Sequence, residues 1–274
     1  MVGVCDDYRF NYLDKFMSIT DYKTIANNAR KQVLTMIYEA QTSHIGSNFS
    51  CIDILTVLFE KIDLDKDKFI LSAGWKAASL YYFLWKKGRI TEEELNSYCQ
   101  PGSKFIGLSE PVHHDIPFAG GSMGMGLPAA VGFALAKKLK EEEGKVYVLV
   151  SDGEMQCGTT WESMLIAREK DLDNLVVIVD NNGFQAMGPT DSILSISFYR
   201  LAPREAEIHD IDGHNFENLE SAIDCTQDIS APKFIVANTI KGKGVSFMEK
   251  DNMWHYKAPD KNEYERALKE LCQK

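Results

Sequence analysis

Two segments, Lys145–Val150 and Leu175–Val179, are apolar at almost every position rather than at alternate ones. A strand of that kind must be buried on both faces, which requires a sheet covered by helices on two sides. Between them, Thr159–Lys170 carries a helical period, so the order is strand, helix, strand. That order predicts an α/β fold with a mostly parallel sheet and helices on both faces.

The rest of the chain extends this pattern. Residues Ile25, Ala29, Val33, Leu34 and Ile37 form one stripe of a helix over Asp21–Ala40,. Ile52–Phe59 reads as a second helix, begun by Ser50. Phe69–Ser72 is a short strand, followed by a helix over Ala77–Lys87 that ends at Gly88,. Thr91 with Glu94 marks a capping box,. Gly126–Leu139 is a helix; Glu207–Ile211 and Lys233–Asn238 are strands, with a helix over Phe216–Asp224 between them. No repeat or linker divides the chain, so one domain over residues 1–274 is expected, with helices in residues 1–65 packing on the sheet or wrapping a partner.

Composition narrows the function classes. With 274 residues, 45% hydrophobic and 26% charged, the chain is an ordinary globular protein,. A net charge of −10 argues against binding nucleic acid or an anionic membrane surface,. Met1–Phe10 has no signal-peptide core, and Phe118–Ala136, although uncharged, holds five glycines and a proline,. Six cysteines at scattered positions, with no Cys-x-x-Cys pair, fit a reducing cytoplasm and no zinc site,.

The chemistry concentrates after the two apolar strands. Asp152-Gly153 follows the first, and Asn181-Asn182 comes after 27 intervening residues, past the second. The carboxyl ends of strands in an open parallel sheet form the ligand crevice. If these strands are neighbours, Asp152 and Asn182 bring two oxygen-bearing side chains to one edge. That suits Mg²⁺, which takes a few hard oxygens from protein and the rest from phosphate and water. Gly153 admits a phosphate close to the backbone, and the helix after it would offer N-terminal amides. An isolated helix cap and turn would also account for Asp-Gly and Asn-Gly; the placement after two buried strands favours the metal site.

Asp-Gly, 27 residues and Asn-Asn is similar to the thiamine diphosphate signature, with Ser151 where the signature has its first glycine. Six blocks resemble, in order, the N-terminal subunit of split transketolases. They are Ser43–Ser50, Gly121–Pro128, Ser151–Glu162, Val179–Thr190, Ile211–Asn215, and Lys241–Glu249 with Trp254-His255. The resemblance implies that Asp152, the Asn182 side chain and the Phe184 carbonyl bind Mg²⁺. It places Gly153 and Glu154 along the diphosphate, and Gly121, Ser122 and Met123 against the cofactor. His44 would face substrate hydroxyls, and His255 would sit near both the diphosphate and the substrate channel.

The same resemblance implies a partner. In the family, the carboxylate that activates the cofactor lies on a second α/β domain. A chain ending at Lys274 leaves that domain to a separate pyrimidine-binding chain, and two halves pairing twice give an α2β2 assembly. The expected reaction is transfer of a two-carbon ketol unit from a ketose, or its phosphate, to an aldose. The alternative is a two-component enzyme that decarboxylates an α-keto acid and ligates the acyl unit.

Four departures stand out. Trp75, in the cofactor set by position, replaces a histidine near the reacting centre. Cys157 replaces a glutamate of an acidic network that still holds Glu162. Tyr256 replaces a glycine and crowds the channel mouth. The segment Pro111–Pro117 is altered, so the upstream substrate histidine of the family falls to His113 or His114.

Overall fold

The computed structural model describes residues 18–198, 207–225 and 231–273. Met1–Phe10, with its expected lack of a leader, lies outside them.

Five parallel strands form the central sheet: β1 (Lys68–Leu71), β2 (Val146–Ser151), β3 (Leu175–Asn181), β6 (Glu207–Asp212) and β7 (Lys233–Asn238), in the spatial order β1-β2-β3-β7-β6. β4 (Phe184–Gln185) and β5 (Gly188–Pro189) form a small antiparallel pair just past β3. The two strands read from their apolar runs are therefore direct neighbours.

Side chains alternate between two cores. Tyr147, Leu149, Val176 and Ile178 face one; Val146, Val148, Val150, Val177 and Val179 face the other. The second is closed by α5 (Gly126–Leu139) and α6 (Gly158–Glu169). The first holds α1 (Ile19–Ala40), α2 (Ile45–Lys61), α3 (Ala77–Lys86), α8 (Phe216–Asp224) and α9 (Lys261–Cys272). The chain also forms the short helices α4 (Glu92–Asn96) and α7 (Thr190–Ile193). Burial on both faces explains why the sequence of β2 and β3 shows no alternation.

Local signals set several boundaries. Thr91 and Glu94 form the expected capping box, and Ser18 with Asp21 forms another at the start of α1. α2 corrects the sequence reading. It begins at Ile45, not after Ser50, and every residue from Ile45 to Phe59 is buried. His44 precedes it in the left-handed conformation, at φ 73°. Serine is so often a helix cap that Ser50 reads as one; instead its hydroxyl bonds the Ser47 carbonyl and the Asp180 carboxylate. After Asp152 comes a 3₁₀ turn over Gly153–Gln156, and the α-helix starts only at Gly158. Among the described residues, no helix is long and apolar enough to cross a membrane.

Candidate functional site

Ser151 pairs with Asp180 at the last rungs of β2 and β3, so Asp152 and Asn182 leave the sheet side by side. Both are buried. The Gly153 N–H donates to Asp152 Oδ1 at 2.9 Å, and the Gly183 N–H to Oδ2 at 2.6 Å. Asn182 Oδ1 accepts from the Phe184 N–H at 3.1 Å, while its Nδ2 donates to Ser50 Oγ at 3.4 Å. The β4–β5 hairpin holds the backbone of Phe184 beside them.

Under this pair lies a charged layer. The Lys76 ammonium meets the Asp180 carboxylate, and both side chains are wholly buried. Ser50 and Thr239 also donate to Asp180. Burial pushes the Asp180 carboxyl up, but Lys76 and these hydroxyls outweigh it and bring it below its ordinary value. Asp152 makes no such contact, although the Lys76 charge pulls its carboxyl down. Burial first, then the Asp180 charge, push its carboxyl up to about 7. Among the described residues Asp152 makes no ion pair. A buried carboxylate that resists ionising, beside an amide oxygen, is a donor set fitted to a hard cation.

The strand end of β1 supplies the neighbouring wall. Gly74 and Gly120 cross so closely that a Cβ on Gly74 would lie 2.3 Å from the Gly120 carbonyl carbon. Gly121 then turns at φ 113°, which favours glycine,. Ser122 and Met123 are exposed at the edge, and Met123 Cε lies 3.3 Å from where a Cβ of Gly153 would stand. Trp75 is half-buried in the turn after β1, and its carbonyl accepts from Asn48 Nδ2 at 3.2 Å.

Glu154 follows in the 3₁₀ turn. Its carboxylate turns into the protein, fully buried, and accepts from Ser72 Oγ, the Gly124 N–H at 3.2 Å and the Ser151 N–H at 2.9 Å. It braces the glycine loop against β2.

His44 and His255 come together from opposite ends of the sequence. Their rings lie 4.9 Å apart and nearly perpendicular, and the His44 N–H donates to the His255 carbonyl at 2.9 Å. Lys241 Nζ sits 3.2 Å from His255 Nδ1 and 2.9 Å from Asn252 Oδ1. As the ammonium only donates, His255 Nδ1 accepts and the ring carries its proton on Nε2. Burial and then Lys241 push His44 down to about 4; burial, Lys241 and His44 push His255 down to about 3. Burial brings Lys241 itself down to about 8, against the pull of Asp152.

Beside this cluster is a cavity of about 450 Å³, lined by Thr42, Ser43, His44, Tyr98, Leu108 and Tyr256 among others. Tyr256 is 67% exposed, with its ring 4.7 Å from that of His255 and 6.3 Å from that of His44. Neither His113 nor His114 lines it. They stack on each other at 4.1 Å beside the Arg89–Asp115 ion pair. Leu108, upstream of that segment, lines the cavity wall. Cys157 is half-buried and Glu162 exposed on α6.

Sequence reasoning missed Lys76, Asp180 and Lys241. Lys241 opens one of the six blocks and Asp180 sits within another, but nothing local marks a lysine as buried. Only the crossing of β1, β3 and the loop after β7 brings them under the site.

The family described as "Transketolase, thiamine diphosphate binding domain" matches residues 21–272. The chain is 35% identical over 256 residues to a subunit of the apulose-4-phosphate transketolase of Actinobacillus succinogenes, covering 88% of this chain and 92% of that protein. It is 32% identical to the 6-deoxy-6-sulfo-D-fructose transketolase subunit SqwG of Clostridium sp. strain MSTE9, over 84% of this chain and 88% of that protein. Transketolase from Campylobacter jejuni superposes with a TM-score of 0.87 at 27% identity, covering 93% of this chain and 43% of that one. The chain therefore belongs to the transketolase family, as the thiamine diphosphate-binding subunit of a transketolase-like transferase.

Proposed function

We propose that this chain is the diphosphate-binding half of a two-component transketolase that moves a two-carbon ketol unit from a ketose bearing an anionic end group to an aldose. The reading rests on one observation. Asp152 and Asn182 converge from neighbouring strand ends in a chain whose relatives are named as subunits of enzymes for a sugar phosphate and a sulfo-sugar. In this reading the whole chain acts as one domain. Asp152, Asn182 Oδ1 and the Phe184 carbonyl hold Mg²⁺, with Gly153 and the Gly121–Met123 loop against the diphosphate.

Thiamine diphosphate, when bound, supplies the carbon nucleophile and the electron sink for the transferred unit. This chain's own residues orient and exclude. His44 and His255, neutral at pH 7, offer hydrogen bonds to substrate hydroxyls without adding charge. Lys241 sets the His255 tautomer and adds positive potential near the anionic cofactor. Ile106, Leu108 and Tyr256 shape the apolar side of the substrate cavity.

The relatives are each named as one subunit of a transketolase, which supports a partner chain. In this reading the partner binds the pyrimidine end of the cofactor in an α2β2 assembly, in the cytoplasm. The test is reconstitution. The purified chain with cofactor and Mg²⁺ should be silent, and adding its partner should give ketol transfer from a ketose phosphate. Activity from the single chain, or turnover of pyruvate in place of the ketose, overturns the reading.

A further inference from the structure

We infer that Asp53, acting through His214 and Arg30, is a positioning residue that holds the loop bearing Lys241 in place beside His255.

Asp53 lies in the middle of α2, 3% exposed, far along the helix from His44. Two side chains converge on one of its oxygens. Arg30 Nη2, from α1, is 2.7 Å from Oδ2, and His214 Nδ1, from the turn after β6, is also 2.7 Å from Oδ2. Each partner then reaches the loop that follows β7. The Ile240 N–H donates to His214 Nε2 at 2.8 Å, and Arg30 Nε donates to the Lys243 carbonyl at 3.0 Å. One carboxylate thus anchors the loop on both sides of Lys241. A third tie comes from α2 itself, where the Gly46 carbonyl accepts from the Gly242 N–H at 2.9 Å.

The hydrogen-bond roles fix the chemistry. His214 Nε2 accepts an amide proton, so the ring is neutral there and carries its proton on Nδ1, directed at Asp53. The Asp53 carboxylate facing Nδ1 and the Ile240 N–H facing Nε2 select the same tautomer. Burial pushes the Asp53 carboxyl up, but Arg30 and His214 outweigh it and bring it down to about 2, so the acceptor persists across the usable pH range. An asparagine would keep one oxygen for the two donors but would lose the charge that strengthens both bonds. The other oxygen, Oδ1, has no hydrogen-bond partner among the described residues, so the clamp draws on Oδ2 alone.

The arrangement explains a block that the cofactor site leaves without a task. Ile211–Asn215 lies outside the metal and diphosphate set, yet His214 bridges Asp53 of α2 and the Lys241 loop. Acting through the loop, it is a positioning residue rather than a catalytic one.

The test uses the chain with its partner, thiamine diphosphate and Mg²⁺. Hydrogen–deuterium exchange across residues 240–244 is read alongside cofactor affinity and thermal midpoint. His214→Ala should raise exchange at Ile240 and weaken cofactor binding roughly tenfold, the loss expected when a buried N–H is left without its acceptor. His214→Gln, whose amide oxygen can reach the Ile240 N–H, should restore much of both. Asp53→Asn, which removes the charge that holds both donors, should also raise exchange across residues 240–244; should it fail to fold, the His214 pair still decides. Unchanged exchange at 240–244 in His214→Ala overturns the clamp. Raised exchange with unchanged cofactor affinity overturns its link to Lys241. If the unaltered assembly binds no cofactor, the functional reading fails while the exchange experiment still judges the clamp.

Discussion

The Lys76 ammonium and the Asp180 carboxylate form an ion pair whose side chains are both wholly buried, directly beneath the strand ends that carry Asp152 and Asn182. Removing one member strands the other. Lys76→Met should cost about 3–5 kcal/mol, as in other broken buried pairs. Ser50 and Thr239 still donate to Asp180 and soften the loss toward the lower figure. Urea unfolding of the purified chain measures it. A loss below about 1 kcal/mol would mean that the pair is not dry in solution.

Asp152 gives a pH prediction with a definite sign. Its carboxyl is raised from an ordinary 3.8 to about 7 in the folded chain. Between those values the folded state holds the proton more tightly than the unfolded state. Its contribution is therefore full below about pH 4 and lost as pH rises to about 7. Mg²⁺, by pairing with the carboxylate, should reverse the loss, so metal-induced stabilisation should grow with pH across the same window. Asp152→Asn should flatten the slope and abolish the response to Mg²⁺. Thermal melts at several pH values, with and without metal, read both effects; a metal response that survives in Asp152→Asn places the cation elsewhere.

The two histidines act in the opposite sense. His44 and His255 are lowered from 6.5 to about 4 and about 3. Their stabilising contribution is present above pH 6.5 and is lost as pH falls through their folded values. The ring-proton resonances of both should stay in the neutral form at pH 6 and titrate only in more acidic solution. Lys241→Met removes the second largest cause of both shifts, so both titration midpoints should rise in that variant. Midpoints near 6.5 in the unaltered chain would refute the buried, uncharged pair.

How much of this is legible in the sequence follows from the range of each interaction. The apolar runs of β2 and β3 announce a doubly covered sheet because burial on two faces leaves no room for alternation. The placement of Asp152 and Asn182 follows from those runs once the two strands are neighbours. The start of α2 is hidden because serine is a common cap and Ser50 looks like one, whereas its partner Asp180 is 130 residues away. The inward turn of Glu154, the depth of Lys76 and the convergence of Arg30 and His214 on Asp53 are likewise tertiary. They depend on which strand lies beside which, and β7 inserts between β3 and β6 out of sequence order. Trp75 and Tyr256 are visible as departures, but their neighbours are not.

Tyr256 tests the substrate side of the site. Its side chain is mostly exposed, and its ring covers His255 and leans toward His44 at the rim of the cavity. Tyr256→Gly should therefore change stability by no more than about 0.5 kcal/mol, the usual scale for an exposed position. Widening the rim should relax selection by size. In the reconstituted enzyme, the ratio of kcat/KM for a long aldose acceptor to that for a short one should rise by about tenfold, the scale of a shape change in an otherwise intact pocket. The relevant comparison is between acceptors of different length with one ketose donor, since a uniform fall in rate reports only disturbed histidines. If the ratio is unchanged while both rates fall, Tyr256 serves to shield His44 and His255 from water and does not select the acceptor.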